Sequence, residues 1–270
     1  MQHSPVPESC RYFLGGNDLE MQEIRILLAE AGLAGSVVDR KLAWGARASA
    51  YATDIAAALA AAKTPVLVEL EDDLPTGISR DELMVIDHHG VHAGKDKPSS
   101  LRQLHDLLAP FRSLEWTRRR ALVAANDIGH APGLRQLGAS ADEIRAIRDQ
   151  DRAAQGVSAG DEAESRRAVA QAQWHGRLLV VTTSAGTSSA VGDFLLTEYG
   201  GCDPQNLLVV MPGEIAFFGH GGVIAGLAGV PGCWWGGALP QRGFWGAPRH
   251  SIGDVQRLIG QLAGRLADLP

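Results

Sequence analysis

Acidic and imidazole side chains follow four separate apolar segments of the chain. The residues concerned are Asp18 and Glu20, Glu69, Asp87-His88-His89, and Asp127. If the fold brings these carboxylates close together, they cannot all ionise without a counter-ion, and a divalent cation is the usual one. Oxygen and nitrogen donors without a thiolate suit Mn²⁺, Mg²⁺, Fe²⁺ or Co²⁺ better than a structural zinc. The spacing therefore predicts a divalent metal centre.

One strand end carries three adjacent residues that suit three different functions: Asp87, His88 and His89. We expect His88 to bind the metal while Asp87 orients it through the second ring nitrogen. His89 is then free to contact a phosphate or to donate a proton. Asp87 and His89 are thus the predicted catalytic pair.

Each of these acids also has a purely structural interpretation. Asp18 could cap the helix that follows it, Glu69 could be an ion-pair partner at a strand end, and an acid after a strand often forms a turn. What favours a site is the number of strand ends involved, because ligands of an open parallel sheet bind beyond the carboxyl ends of its strands.

The elements that must position these residues alternate between strand and helix. Apolar segments without polar alternation predict strands at "CRYFLGG", "GSVVD", "PVLVEL", "LMVID" and "RRALVAAND". Between them, helical spacing is found in "LEMQEIRILLAEAGL", "ASAYATDIAAALAAAK" and "SSLRQLHDLLAPF". This alternation predicts an α/β fold with a parallel sheet covered on both faces.

The second half of the chain predicts a different arrangement. Residues 139–176 predict two polar helices, the first opened by a Ser140–Glu143 capping box, that link two lobes. Residues 177–270 predict a smaller α/β lobe with strands in "RLLVVTTS", "NLLVVMPG" and "EIAFFGHGG" and a glycine-rich end. The predicted domains are therefore 1–138, 139–176 and 177–270.

The composition limits the class of protein. The chain has 270 residues, is 45 % hydrophobic and carries a net charge of −6, which argues against a broadly basic nucleic-acid surface. Three widely separated cysteines indicate reduced thiols. The polar start "MQHSPVPESC" shows no signal peptide, and no apolar run reaches the ~20 residues of a membrane span. We expect a cytoplasmic protein.

These motifs together resemble the DHH phosphoesterases. The segment "VIDHHG" is similar to the motif that names the family, "GGNDLE" resembles its first motif, and "VELE" resembles its strand-end acid. The segment "AANDIGHAPGL" resembles the family's next acidic motif and places Asp127. In the second lobe, "FFGHGG" and "GGALPQRGFWG" are similar to a substrate-binding loop and point to His220 and Arg242.

The resemblance implies a DHH-type domain (1–138) joined by helices to a smaller C-terminal lobe, with the site in the cleft between them. It implies two divalent cations, Mn²⁺ or alternatively Mg²⁺ or Co²⁺, bound by five ligands: Asp18, Glu20, Glu69, His88 and Asp127. It implies hydrolysis of a phosphodiester in a nucleotide or short single-stranded nucleic acid by metal-activated water, with His220 and Arg242 binding substrate. From the absence of a long apolar run we also expect no membrane partner, and a homodimer is a possible assembly.

Several positions depart from the family pattern. Leu14 stands where the family usually has a histidine, four residues before Asp18, and glutamates replace aspartates at 20 and 69. His130 is a candidate to replace the lost imidazole, or else a surface histidine in a turn. Two other functions therefore stay open: a pyrophosphatase or polyphosphatase on the same metal core, and a non-catalytic relative that binds metal or nucleotide.

Overall fold

The structure is a computed structural model that describes residues 6–89, 92 and 97–269. Gly90 of the "VIDHHG" motif and the first residues of the chain lie outside the described residues. The chain forms two compact units, Met1–Gln155 and Gly156–Pro270. Each unit has its own sheet, and the predicted α/β fold class is confirmed.

The first unit is built on a four-stranded sheet in the order β2-β1-β3-β4, and all its pairings are parallel. The strands are β1 (Cys10–Leu14), β2 (Val37–Val38), β3 (Thr64–Val68) and β4 (Met84–Ile86). The helices are α1 (Leu19–Glu30), α2 (Ala52–Ala60), α3 (Ser100–Leu108), α4 (Arg118–Gln136) and α5 (Ala141–Ala154).

Both faces of this sheet are buried, as the apolar strands predict. Phe13 and Leu67 pack with Tyr51 and Ile55 in one apolar cluster next to α2. Alternate strand residues such as Val66 point to the opposite face, and Val66 is also fully buried. Because all four strands run in parallel, their carboxyl ends lie at one edge of the sheet.

The prediction of a fifth strand over "RRALVAAND" is wrong, because residues 118–127 open helix α4. Thr117 caps the helix by accepting a hydrogen bond from the Arg120 amide, and neither glycine nor proline interrupts the following segment before Gly129. A short apolar run such as "ALVAA" is consistent with a buried strand or a buried helix, so periodicity alone does not separate the two. Asp127 therefore lies on a helix and not at a strand end.

The second unit contains a six-stranded sheet in the order β5-β6-β7-β8-β10-β9. The strands are β5 (Gln173–His175), β6 (Leu178–Thr182), β7 (Leu207–Val210), β8 (Glu214–His220), β9 (Trp234–Ala238) and β10 (Arg242–Pro248). The helices are α6 (Ala159–Ala170), α7 (Ser189–Phe194), α8 (Gly221–Ala225) and α9 (Val255–Ala267). Only β6 and β7 pair in parallel among these strands. Helix α9 packs its apolar side chains against one face in a large buried cluster.

The two polar helices that were predicted as a linker lie in different units. Helix α5 belongs to the first unit and α6 to the second. The Ser140–Glu143 capping box is present, with both reciprocal hydrogen bonds formed. Gly156 follows α5 with φ of 80°, a conformation that glycine adopts at low cost.

Candidate metal centre

The end of β1 leads directly into helix α1, where Asp18 and Glu20 lie. Asp18 is the N-cap of α1, and its carboxylate accepts a hydrogen bond from the Met21 amide at 2.8 Å. Glu20 is 2 % exposed, and its Oε1 accepts a hydrogen bond from the Leu101 amide at 2.9 Å. Oε2 of Glu20 has no such partner among the described residues. The backbone of α3 therefore holds Oε1 of Glu20 and leaves Oε2 available for another partner.

Glu69 follows β3 in a strained backbone conformation. Its φ is 51°, which side chains other than glycine rarely adopt. The Glu69 amide donates to Ile86 O at 3.0 Å, which extends the pairing with β4. On the other side lies Gly15, where an added Cβ would stand 2.3 Å from Glu69 O. Neighbours on both sides therefore fix the carboxylate in place, as is common for strain at functional sites.

His88 follows β4 and contacts three carboxylates. Its Nε2 lies 2.7 Å from Asp127 Oδ2, 3.2 Å from Glu69 Oε1 and 4.0 Å from Glu20 Oε2. The prediction that Asp87 orients His88 is wrong. Asp87 Oδ1 instead accepts the His89 amide at 2.8 Å and lies 3.1 Å from His89 Nδ1, because its carboxylate closes a turn over the next two residues.

Asp127 reaches the same point from helix α4, which is kinked three residues later. His130, at the kink, has φ of 48° and ψ of −142°. At Gly133 an added Cβ would lie 2.3 Å from Ala125 O, so the two halves of the helix approach closely there. The ring of His130 lies 3.2 Å from Arg148 and is in neither group of possible metal ligands among the described residues.

Four of the five predicted ligands converge on one point. One ligand atom from each of Glu20, Glu69, His88 and Asp127 lies within 4.8 Å of the other three. We call these four residues the acidic centre. In the described part of the chain, all four of these inward-facing atoms are buried without a properly oriented hydrogen bond, although their distances are short. Buried polar atoms almost always have a partner, so the donor set fits a divalent cation.

Asp18 lies near the acidic centre but belongs to neither group of possible ligands. Its carboxylate serves α1 as a cap instead. His89 belongs to a second group with Glu69 and His88, and its side chain is 57 % exposed. Leu14 is fully buried in the sheet, so no imidazole occupies that position. The ligand roles of all these residues stay predictions.

The ionisation of the acidic centre reflects its crowding. Burial, followed by the charges of Asp127 and Glu69, raises the pKa of Glu20 well above its usual value. Burial also raises the pKa of Asp18 to about 7, and the charges of Glu69 and Asp127 add to it. Burial lowers the pKa of His88, but its contacts with Asp127 and Glu69 outweigh burial and raise that pKa to about 10. In the metal-free protein these shifts favour the protonated forms of His88 and Glu20.

A second buried charge cluster, which the sequence did not reveal, connects helices α4 and α5 to α1. Arg148 Nη1 donates to Asn126 Oδ1 at 2.9 Å and to Asp151 Oδ2 at 2.8 Å. The other oxygen of Asp151 accepts the Leu19 amide at 3.3 Å. We call Asn126, Arg148 and Asp151 the Arg148 cluster. It holds the residues next to Asp127 and Glu20, so it orients both ligand-bearing segments.

His220 and Arg242 lie in the second unit, opposite each other in the register of β8 and β10. His220 Nδ1 accepts the Gly222 amide at 3.1 Å. Arg242 donates to Gln205 O at 2.7 Å, and burial lowers the pKa of its guanidinium. Their substrate-binding role and the cleft between lobes stay predictions.

No helix within residues 6–89, 92 and 97–269 combines the length and apolar character that crossing a membrane requires. All three cysteines of the chain are free thiols.

Comparison with known proteins finds similarity in structure only. No family model matches the chain, and no curated protein matches it. Among solved structures, the DHH domain of a protein described as a member of a ribosomal protein family is 12 % identical, with a TM-score of 0.53 over 97 % of this chain and 88 % of that one.

Two further solved structures are similar over most of this chain at lower scores. A pGpG-specific phosphodiesterase from Vibrio cholerae is 12 % identical, with a TM-score of 0.42 over 94 % of this chain and 99 % of that one. The exonuclease RecJ bound to manganese is 12 % identical, with a TM-score of 0.46 over 98 % and 92 %. At these identities the likeness concerns fold and not function. The chain has the fold of a DHH-domain protein, which confirms the resemblance that its sequence predicts.

Proposed function

We propose that this chain is a divergent DHH phosphoesterase that hydrolyses a phosphodiester of a nucleotide or short oligonucleotide with the aid of a divalent cation. The observation that carries the proposal is the acidic centre. Four chain segments bring three carboxylates and one imidazole to one edge of the sheet, each with a buried atom that lacks a hydrogen-bond partner within the described residues. A dication satisfies these atoms and offsets their mutual repulsion.

Glu20, Glu69, His88 and Asp127 would hold the cation, with Asp18 nearby as a further carboxylate. Oxygen donors with one imidazole favour Mn²⁺, with Mg²⁺ or Co²⁺ as alternatives. When bound, such an ion stabilises negative charge on a phosphoryl group and lowers the pKa of water. The chain supplies a rigid support for it, because the helix caps, the strained turn at Glu69 and the Arg148 cluster fix the ligand-bearing segments.

His89 is suited to act as the general acid. Its side chain is 57 % exposed beside the acidic centre, and Asp87 Oδ1 holds it by contacts with its amide at 2.8 Å and its Nδ1 at 3.1 Å. The hydrogen bond with Asp87 raises the pKa of His89, which favours the protonated ring, the form that can donate a proton to a leaving alkoxide. His220 and Arg242 remain the candidates for binding the substrate phosphate.

The proposal is tested with protein that has been stripped by a chelator and reloaded with Mn²⁺. Elemental analysis measures bound manganese, and hydrolysis is followed on a linear dinucleotide, a cyclic dinucleotide, pyrophosphate and an aryl phosphodiester. We expect Mn²⁺-dependent cleavage of at least one diester. Asp127→Asn should lower kcat about 100-fold or more, whereas Asp142→Asn, at an 89 % exposed position of α5, should not.

Three results would contradict the proposal in different ways. Cleavage of pyrophosphate alone would support the pyrophosphatase alternative. Bound manganese without any hydrolysis would support the non-catalytic relative. Hydrolysis that is indifferent to both the chelator and Asp127→Asn would exclude the acidic centre as the site.

A further inference from the structure

Trp44 is the most exposed of the large apolar side chains that the structure describes, with 79 % of its surface accessible. It lies at the tip of a segment, residues 40–47, that we call the Trp44 loop. Its indole has no hydrogen bond or ring contact within the described part of the chain. Exposing an indole to water costs free energy and tryptophan is enriched at interfaces, so this side chain is a candidate for binding a ligand.

The start of the Trp44 loop is attached to the end of β1. Leu42 forms a parallel bridge with Gly16, and its carbonyl accepts the Asn17 amide at 2.7 Å. A Cβ added to Gly16 would lie 3.4 Å from the Cα of Trp44. The Trp44 backbone therefore packs directly against the residue that lies two positions before Asp18.

The end of the loop is attached to the segment that follows β3. Arg47 forms a parallel bridge with Glu71, and the Glu71 amide donates to Ala46 O at 3.0 Å. Glu71 lies two residues after Glu69. Both anchors of the loop are therefore extensions of the strands that carry ligands of the acidic centre.

The loop itself has a fixed shape. Lys41 and Gly45 have φ of 50° and 75°, so tight turns flank the tip on both sides. Leu42 and Ala46 pack into the apolar cluster next to α2. Since the loop follows the carboxyl end of β2, it stands at the edge of the sheet where the acidic centre lies. A loop anchored at both ends thus presents an indole at the same sheet edge as the proposed metal centre.

We propose that Trp44 stacks on a nucleobase of the substrate whose phosphodiester is held at the acidic centre. This inference rests on the proposed function and names the substrate class, because an indole stacks on any base, whereas pyrophosphate and polyphosphate contain no ring. The flat, unpartnered indole and its short connection to Asp18 and Glu69 place a base-binding surface and a phosphate-binding centre on one unit.

The test compares two substrates that differ only in their bases. One is a 5′-phosphorylated dinucleotide, and the other is the same sugar-phosphate backbone with abasic sites. Both are assayed with the Mn²⁺-loaded protein as wild type, Trp44→Ala, Trp44→Phe and, as a matched control, Trp174→Ala, which removes another tryptophan that is 55 % exposed.

We expect Trp44→Ala to raise KM for the dinucleotide about tenfold, with kcat nearly unchanged and KM for the abasic substrate unaffected. Trp44→Phe should recover most of the affinity, and Trp174→Ala should behave as wild type. An equal change with both substrates, or no change with either, would overturn the stacking role. The abasic substrate meanwhile reports on the phosphoesterase activity itself.

A binding measurement keeps the two proposals separable if no turnover is found. Titration of the Mn²⁺-loaded protein with a purine mononucleotide should quench tryptophan fluorescence in wild type and Trp174→Ala, but not in Trp44→Phe. Absence of hydrolysis together with this quench would refute the proposed activity and support the stacking site. Quenching that survives Trp44→Phe would refute the stacking site.

Discussion

The first unit contains two buried groups of charged side chains that differ in how their charges are balanced. In the Arg148 cluster a guanidinium lies between an amide oxygen and a carboxylate, and the carboxylate also accepts a backbone amide. In the acidic centre three carboxylates face one imidazole, and the shortest contact, 2.7 Å between His88 Nε2 and Asp127 Oδ2, is not a well-oriented hydrogen bond. The Arg148 cluster balances its charge with the protein's own groups, whereas the acidic centre has more carboxylates than cationic groups and could hold a metal ion.

This difference separates structural from functional burial of charge. A buried ion pair whose hydrogen bonds are satisfied holds helices in register, although it adds little net stability. A buried excess of acid destabilises the metal-free fold, since each carboxylate raises the free energy of the others. Its presence on four segments indicates a purpose other than stability.

The largest effect is expected from breaking the paired cluster. Asp151→Ala removes a buried carboxylate that accepts from both Arg148 and the Leu19 amide, so we expect the free energy of unfolding to fall by about 3 kcal/mol. Denaturant unfolding of metal-free protein measures this loss. Asp142→Ala, which removes an exposed ion pair on the same helix, should have little effect.

The Asp151→Ala variant also tests whether the Arg148 cluster orients the metal ligands. Manganese affinity, measured by calorimetric titration at a temperature where the variant is folded, should weaken about tenfold. Unchanged affinity would mean that the cluster supports the fold alone. An unchanged unfolding free energy would mean that the buried pair is dispensable.

The next largest effect is expected at the acidic centre. Mn²⁺ at about 100 times its Kd should raise the free energy of unfolding by about 2.7 kcal/mol, because only the folded chain brings the four ligands together. Thermal unfolding with Mn²⁺ and with excess chelator measures the difference. Asp127→Asn should show almost none of it, and a wild-type protein indifferent to chelation would contradict the metal centre.

The parts of this site that the sequence predicts are those that depend on parallel strands. Glu69, Asp87 and His88 each follow an apolar segment that is a strand in the structure, and strand ends share an edge. Asp127 lies on a helix and not at the predicted strand end, because "ALVAA" has no period that separates a buried helix from a strand. Its contact with His88 nevertheless forms, since α4 returns to the same edge.

The parts that the sequence does not predict depend on tertiary contacts between side chains. The "RDQDR" segment of α5 shows charges three residues apart, a pattern typical of solvated helices, and nothing in it indicates that Arg148 and Asp151 are 4 % exposed. Trp44 likewise lies in a short segment, "KLAWGAR", without a motif. Its exposure and its attachment to Gly16 emerge only from the pairing of distant backbone segments.

The smallest effect is a pH-dependent one at Glu20. The folded pKa of this carboxyl is raised above its unfolded value, so the fold favours the protonated form. Its contribution to stability is therefore fully present below about pH 4.5 and is lost as the pH rises through the folded pKa. In metal-free protein, Glu20→Gln should be near neutral at pH 5 and stabilising by about 1 kcal/mol at pH 9.

Glu23→Gln is the matched control, because Glu23 lies one turn further along α1 at 3 % exposure but is paired. Its Oε2 accepts a hydrogen bond from Arg119 Nε at 2.8 Å. This variant should lose stability at both pH values, since the guanidinium loses a charged partner. Denaturant midpoints are measured for both variants at pH 5 and pH 9. If the charge on Glu20 is unbalanced, the two variants change the stability at pH 9 with opposite signs. Destabilisation by Glu20→Gln at pH 9 would show that the acidic centre, like the Arg148 cluster, is balanced by the protein itself and needs no cation.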